Sequence, residues 1–403
     1  MMQNTPKSLR LHLALLGRVN AGKSSFLNLV TGQEAAITSE VAGTTTDVVE
    51  KTQELLPIGP VVWLDTAGLG DDTVLGDKRL AKTQKVLDRA DVVILVCEGN
   101  KFGSEEQEIA AQAEARNLPL IKVYNKADLY DCPDDGIKVV ATDKSSRDAV
   151  LTQIKAALIK VVPDEVINTP TLLGDLVPSH SVIVMITPID KEAPKGRMIL
   201  PQVQALRDAL DFDNIVVMVK ENEYAAALQK LKVLPDLVVC DSQVVDQMVA
   251  QTPPAVKCTT FSILFARLKG DLLKMAEGAA AISKLKDGDK VLIAEACTHH
   301  AIEDDIGKVK IPNWLRQKTG CRLQIDNVSG CGFPNNLSKY ALVVQCGGCV
   351  KNRREILSRI NQCEQVGVPI TNYGICISEL KGVLQRVLSP FEQELAEYLR
   401  SRQ

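Results

Sequence analysis

The 403-residue chain has no charge excess of either sign: 47 Lys and Arg stand against 50 Asp and Glu, for a formal net charge of -3. That balance gives no electrostatic reason to expect nucleic-acid binding. Nor does any apolar run approach eighteen residues, so no membrane span is expected. The apolar run Leu11 to Leu16 leads into Gly17, Arg18 and Asn20, not into a small-residue cleavage site, and reads as a first strand. Internal repeats and low-complexity tracts are missing as well. The cysteines total eleven, an odd number in a long chain, which speaks against a disulfide framework and for thiol or metal chemistry in a reducing, cytoplasmic compartment.

What is present is ordinary globular composition, 45% hydrophobic and 24% charged, in a chain long enough for two or three cores. Buried runs at Leu11 to Leu16, Val61 to Leu64, Val92 to Val96 and Leu120 to Tyr124 alternate with amphipathic stretches. Continuous apolar runs of that length indicate strands covered on both faces, hence a mostly parallel α/β sheet. Pro163, Pro170 and Gly174 mark a linker. The rhythm restarts with runs at Val182 to Ile186, Ile215 to Val219 and Leu237 to Val239, and an alanine-rich helix around Leu272 to Lys284 closes this middle part. A third unit opens at Asp287-Gly288-Asp289 with strand Lys290 to Ala294, followed by strands near Arg322 to Ile325 and Ala341 to Val344 and by helices after Lys351 and Ser378. Three α/β domains are expected, over residues 1–170, 171–272 and 273–403. The middle domain shows no catalytic constellation.

Gly17-Arg-Val-Asn-Ala-Gly22-Lys23-Ser24 fits G-x-x-x-x-G-K-[ST], after a strand and before the helical stretch Ser25 to Val30. Backbone N–H groups of Gly17, Ala21 and Gly22 can approach phosphates, Lys23 can neutralise the β/γ oxygens, and Ser24 offers magnesium a hydroxyl, with Ser25 beside it. Asp65-Thr66-Ala67-Gly68 ends the Trp63 strand, placing a carboxylate for magnesium and a glycine N–H that senses the γ-phosphate. Thr45, from the Thr44-Thr45-Thr46 cluster, is the candidate for a second magnesium hydroxyl. Asn125-Lys126-Ala127-Asp128 ends another strand. The Asp128 carboxylate can accept both the ring N–H and the amino protons of guanine, which adenine cannot supply, so GTP and GDP are the expected nucleotides. Lys23, Thr45, Asp65 and Gly68 form the candidate catalytic set. Near Ala141-Thr142 the chain departs from the usual Ser-Ala, and no guanine contact is assigned there.

In arrangement this domain resembles the translation-factor-like GTPases related to the tRNA-modifying, potassium-activated group. The resemblance implies that Asn20 holds a potassium ion. With Leu69 where Ras-type switches place a water-orienting glutamine, it also implies slow hydrolysis in which potassium supplies the charge an arginine finger brings elsewhere.

Seven of the eleven cysteines lie beyond residue 296, and Cys297-x-His299 and Cys346-x-x-Cys349 each follow a strand, where open α/β sheets place ligands. The Gly347-Gly348 spacer lets two thiolates turn toward one centre. On ligand chemistry alone a Cys3His zinc site, a redox dithiol and a three-thiolate 4Fe-4S cluster all remain open. Cys321, Cys331, Cys363 and Cys376 read as small buried hydrophobes. Asp304 and Asp305 suit a helix start, and Arg353 and Arg354 a solvated helix face.

The runs EACTHHAIEDDIGKVKIPNWL (Glu295 to Leu315), QCGGCVKNRREILSRI (Gln345 to Ile360), GVPITNYG (Gly367 to Gly374) and APKGRMILPQVQALRD (Ala193 to Asp208) resemble the HydF family of FeFe-hydrogenase maturation GTPases. The resemblance covers essentially the whole chain. It implies a P-loop GTPase domain, a small dimerisation domain and a cluster-binding domain. It further implies a 4Fe-4S cluster on Cys297, Cys346 and Cys349, with His299, Glu303 or Asp304 as a weak fourth ligand. The implied role is a homodimeric scaffold that carries a transient diiron precursor to apo-FeFe-hydrogenase, working with radical-SAM maturases and binding neither nucleic acid nor membrane. Gln345 stands where this family is expected to carry a histidine. The competing reading is a ribosome- or tRNA-associated regulatory GTPase with a structural zinc module.

Overall fold

The computed structural model describes residues 6–32, 49–56, 58–65, 83–162, 171–189, 198–295, 305–329, 333–334, 336–348 and 351–402. They fall into two compact units, Met1–Thr169 and Pro170–Gln403.

The first unit is built on six strands: β1 (Leu11–Leu16), β2 (Val49–Leu55), β3 (Gly59–Asp65), β4 (Val92–Glu98), β5 (Leu120–Asn125) and β6 (Ile137–Val139). Their order is β2-β3-β1-β4-β5-β6, and only β2 runs antiparallel to its neighbour. β1 and β4 are central and buried on both faces, as their largely apolar runs predict, with His12 the polar residue of β1. β2 has the polar sequence VEKTQEL and keeps only Leu55 buried, which suits an edge strand and hides it from a search for apolar runs. Helices α1 (Lys23–Thr31), α2 (Ser104–Glu114) and α3 (Arg147–Val161) accompany the sheet. Phe26 meets the buried Trp63 edge-on, with ring centroids 6.3 Å apart, and this fixes α1 on β3. Arg147, at the start of α3, donates to the last-turn α1 carbonyls of Leu29 (3.1 Å) and Val30 (3.3 Å), the latter shared with Gln53 Nε2 of β2 (2.9 Å).

The second unit holds two four-stranded parallel sheets. One has β7 (Val182–Ile186), β8 (Ile215–Val219), β9 (Leu237–Cys240) and β10 (Lys257–Thr260) in the order β10-β9-β7-β8. The other has β11 (Lys290–Ala294), β12 (Gln324–Val328), β13 (Leu342–Gln345) and β14 (Ile370–Asn372) in the order β12-β11-β13-β14. The helices used below are α4 (Leu200–Asp211), α5 (Phe261–Lys269), α6 (Leu272–Ala280), α7 (Ile311–Thr319), α8 (Arg353–Gln365), α9 (Tyr373–Leu380) and α10 (Glu392–Ser401). The alanine-rich helix α6 does not close the middle sheet as its position in sequence suggests. It packs on β14 and α10 of the other sheet, so tightly that a Cβ on Gly278 would lie 2.0 Å from the Ile370 carbonyl oxygen. Small side chains on α6 are what permit that approach.

The two sheets share a seam. Arg386 donates to the carbonyls of Pro253 (3.0 Å) and Val256 (2.6 Å), Lys381 pairs with Asp246 at 2.8 Å, and Asn372 reaches the Ser262 carbonyl at 3.1 Å. Among the described residues no helix is long and apolar enough to cross a membrane.

Candidate functional site

In the first unit β1 ends at Leu16 and the chain turns through Gly17 (φ 146°), Asn20 (φ 64°) and Gly22 (φ 89°) into α1. Packing as well as φ requires the two glycines. A Cβ on Gly17 would lie 2.2 Å from the Val96 carbonyl oxygen, and one on Gly22 would lie 2.1 Å from Asn125 Nδ2. The turn leaves Asn20, Ser24 and Ser25 exposed at the open end of the sheet and Ala21 buried. The Lys23 Nζ folds back on the loop, donating to the carbonyls of Gly17 (2.9 Å) and Arg18 (2.7 Å). A phosphate at this helix N-terminus would compete for that ammonium with those two carbonyls.

Two interactions join the loop to the rest of the unit. Buried Asn125, at the end of β5, donates to the Ala21 carbonyl (2.9 Å) and accepts the Ala141 N–H (3.0 Å). One side chain thus links the phosphate loop, the NKAD segment and the Ala141 segment, to which no role was assigned from sequence. Arg18 forks onto Glu106 of α2, with Nε to Oε1 at 2.6 Å and a second bond from its terminal nitrogen to Oε2. Glu106 is fully buried and also accepts the Gly103 N–H at 2.9 Å, capping α2. The guanidinium holds the Glu106 carboxyl below the usual range against the opposing effect of burial.

Asp65 is buried at the carboxyl end of β3, level with Leu15 of β1, so it opens onto the same end of the sheet as the loop. Lys126 (φ 61°) places its Nζ 2.6 Å from Glu98 Oε1, and Asp128 is exposed beyond it. Hydrogen bonds from Lys126 and Lys101 lower the Glu98 carboxyl to about 2. Gly17, Asn20, Ala21, Gly22, Lys23, Ser24, Ser25, Asp65, Asn125, Lys126 and Asp128 therefore all stand at one end of one sheet, while Thr45 and Gly68 lie outside the described residues.

In the second unit β11 and β13 are adjacent, parallel and level at Ala294 and Gln345. The Cys346 N–H donates to the Ala294 carbonyl at 2.9 Å, so Glu295 and Cys346 follow their strands side by side. Cys346 is half-buried and Gly348 is left-handed (φ 60°), with Ile356 Cδ1 only 2.7 Å from where its Cβ would stand. Cys297, His299, Glu303, Asp304 and Cys349 lie outside the described residues. Among the described residues no three His, Cys, Asp or Glu side chains gather as a metal set. The thiol described at this edge, half-buried Cys346 after β13, is of the ligand type that soft metals and iron–sulfur clusters take.

The sequence assigns no site role to the polar groups around the Cys346 turn. Buried Glu295 accepts from Ser329 Oγ (3.2 Å) and faces Tyr373 OH (3.4 Å), and a Cβ on Gly307 would strike that same hydroxyl at 2.1 Å. Burial, then the charges of Glu295 and Cys346, raise the Tyr373 phenol well above its usual value. Gln345 is buried, and its Oε1 has no hydrogen-bond partner among the described residues. Lys269, the last residue of α5, is 1% exposed, and its Nζ donates to the carbonyls of Gly348 (3.2 Å) and Lys351 (3.1 Å). Arg353, read from sequence as part of a solvated face, is exposed yet holds the Leu268 carbonyl at 2.7 Å. Cys363 and Cys376 are buried as expected, and burial pushes the Cys363 thiol up to about 12. Cys321 is half-buried, and Cys331 lies outside the described residues. Asp305 accepts the Lys308 N–H at 2.8 Å and opens a helical turn.

Comparison with known families assigns both units. The Hydrogen maturase F dimerization domain model matches residues 172–270 and the Hydrogen maturase F tetramerization domain model residues 273–390, together more than half of the chain. The chain belongs to the HydF family. A third model, described as 50S ribosome-binding GTPase, matches residues 12–126, so a GTPase domain precedes the two HydF domains. Among curated relatives, the tRNA modification GTPase MnmE of Nitrosospira multiformis is 35% identical over 131 residues, 32% of this chain and 29% of its own. MnmE of a Synechococcus species is 44% identical over 131 residues, and GTPase Der of Kosmotoga olearia is 34% identical over 127. The chain spans under a third of the length of these relatives, and the similarity is confined to the GTPase part.

Proposed function

We propose that this HydF-family chain is a GTPase that carries an iron–sulfur cluster and acts as a scaffold in FeFe-hydrogenase maturation. The observation that carries the reading is the pairing, in one chain, of a phosphate loop anchored by Asn125 with two HydF domains whose shared seam holds the Cys346 turn. GTP with magnesium is the nucleotide. Lys23 exchanges its loop carbonyls for the β/γ phosphates, Ser24 and Thr45 hold the metal with Asp65 behind it, the Gly68 N–H reads the γ-phosphate, and Asp128 selects guanine. Asn20, exposed and left-handed at the loop, holds potassium, and the absence of a glutamine at Leu69 leaves hydrolysis slow. GTP turnover measured in potassium and then in sodium buffer tests this, and equal rates in the two would remove the potassium assignment.

Cys297, Cys346 and Cys349 hold the 4Fe-4S cluster, with His299, Glu303 or Asp304 at a weakly bound fourth corner. When bound, the cluster would supply an iron site with one exchangeable corner, and the diiron precursor is the cargo that the chain carries to apo-hydrogenase. Substituting Cys346 by Ala should abolish stoichiometric iron binding while GTP turnover persists, and full iron retention in that variant would refute the ligand set. Radical-SAM maturases are the proposed source of the cargo, and the cytoplasm the compartment. Copies pair through the middle domain, where edge strand β8 presents Ile215, 56% exposed, beside exposed Leu210 and Phe212. The tetramerization model over the last domain supports a second contact between such pairs.

A further inference from the structure

Lys269 belongs by sequence to the dimerization domain and by contact to the cysteine turn of the next one. It is the last residue of α5, and its side chain leaves that helix to enter the neighbouring domain, where the ammonium is buried against the Gly348 and Lys351 carbonyls. Burying a lysine is costly and is tolerated only where its donors are used. Both carbonyls flank the same short turn. Gly348 is the left-handed residue that lets the chain double back, and Lys351 precedes Asn352, whose side chain caps α8 by accepting the Glu355 N–H at 3.0 Å. Ile356, one turn into α8, packs against both Gly348 and Gly270, the residues on either side of the join. The Arg353 guanidinium crosses in the opposite direction to the Leu268 carbonyl.

We propose that Lys269 is a positioning residue for the cluster, holding from the dimerization domain the Gly348 and Lys351 carbonyls that bracket Cys349 in sequence and setting a positive charge close to the cysteine motif. The inference rests on the reading that Cys346 and Cys349 are cluster ligands. Two consequences are separable. The hydrogen bonds fix the backbone that spaces the two thiolates, so they govern how firmly iron is kept. The charge stabilises the more negative, reduced state, so it governs the midpoint potential.

The test uses the full-length protein, reconstituted anaerobically with ferrous iron and sulfide. Lys269→Met keeps the buried stem but removes donors and charge. Iron loss to a ferrous chelator should become about 10- to 100-fold faster, the range for groups that orient ligands, and the EPR-monitored midpoint potential should move negative. Lys269→Arg keeps the charge but spreads its donors over a planar fork. It should lose iron several-fold faster than wild type at an unshifted potential. Arg353→Met loosens the same seam without touching the Gly348 and Lys351 carbonyls and should stay within about twofold of wild type in iron loss. Should Lys269→Met fail to unfold cooperatively, Lys269→Arg carries the test alone, and a wild-type release rate in that variant overturns the inference. It is equally overturned if Lys269→Met folds and matches wild type in release rate and potential. A wild-type protein that takes up no iron would instead refute the cluster reading itself.

Discussion

Replacing Arg18 by Met removes the partner of a carboxylate that cannot reach water. Glu106 is fully buried and would keep backbone N–H donors, that of Gly103 among them, but no cation. Removing one member of a buried pair costs about 3–5 kcal/mol. Part of that cost can be escaped, since Glu106 can take up a proton at pH 7 for roughly 3.7 kcal/mol, the distance from its unfolded value near 4.3. The expected loss for the first unit is therefore about 3 kcal/mol, a large share of the roughly 5–15 kcal/mol that stabilises a domain. Urea unfolding of the full chain measures it through Trp63, buried in the first unit, in a Trp314→Phe background that silences the only other tryptophan. Adding Glu106→Gln to Arg18→Met removes the stranded charge and should restore about 2 kcal/mol. The pH dependence has a definite sign. Because the folded Glu106 carboxyl lies below its ordinary value, its contribution is complete above the unfolded value and is lost as pH falls through the folded one, so the wild-type advantage over Arg18→Met shrinks in acid. A loss under about 1 kcal/mol, or a double variant no more stable than Arg18→Met, would refute this account of the loop.

Gly22→Ala would force a Cβ toward Asn125 Nδ2 at a left-handed residue, costing about 1–2 kcal/mol in the backbone beyond the broken Ala21 contact. GDP affinity, followed with a fluorescent analogue, should fall at least about tenfold. Ile215→Glu on the β8 edge should lower the mass seen by light scattering and leave GTP turnover intact, and an unchanged mass would place the contact between copies elsewhere.

The apolar strands were legible because burial on both faces writes itself as an apolar run, unbroken through most of β4, β7 and β11 and interrupted by His12 in β1. β2 and β14 escaped for opposite reasons: one is a polar edge, and the other is three residues long. The phosphate loop and NKAD segment were legible because their chemistry is local in sequence. Arg18–Glu106, Asn125–Ala21 and Lys269–Gly348 were not, since each joins residues about eighty or more apart and carries no spacing signal. Lys269 was further concealed as the last residue of a helix, where a lysine ordinarily faces water. The Cys346 turn was found from its motif, but its grip by the neighbouring domain depends on the fold.

The central claim is that the cysteines of the last domain carry iron and sulfide. Protein purified anaerobically, reconstituted, desalted and analysed for iron, acid-labile sulfide and zinc decides it. The account predicts about four iron and four sulfide per chain with little zinc. Stoichiometric zinc in a colourless protein without iron would contradict it and favour a regulatory GTPase with a structural zinc module.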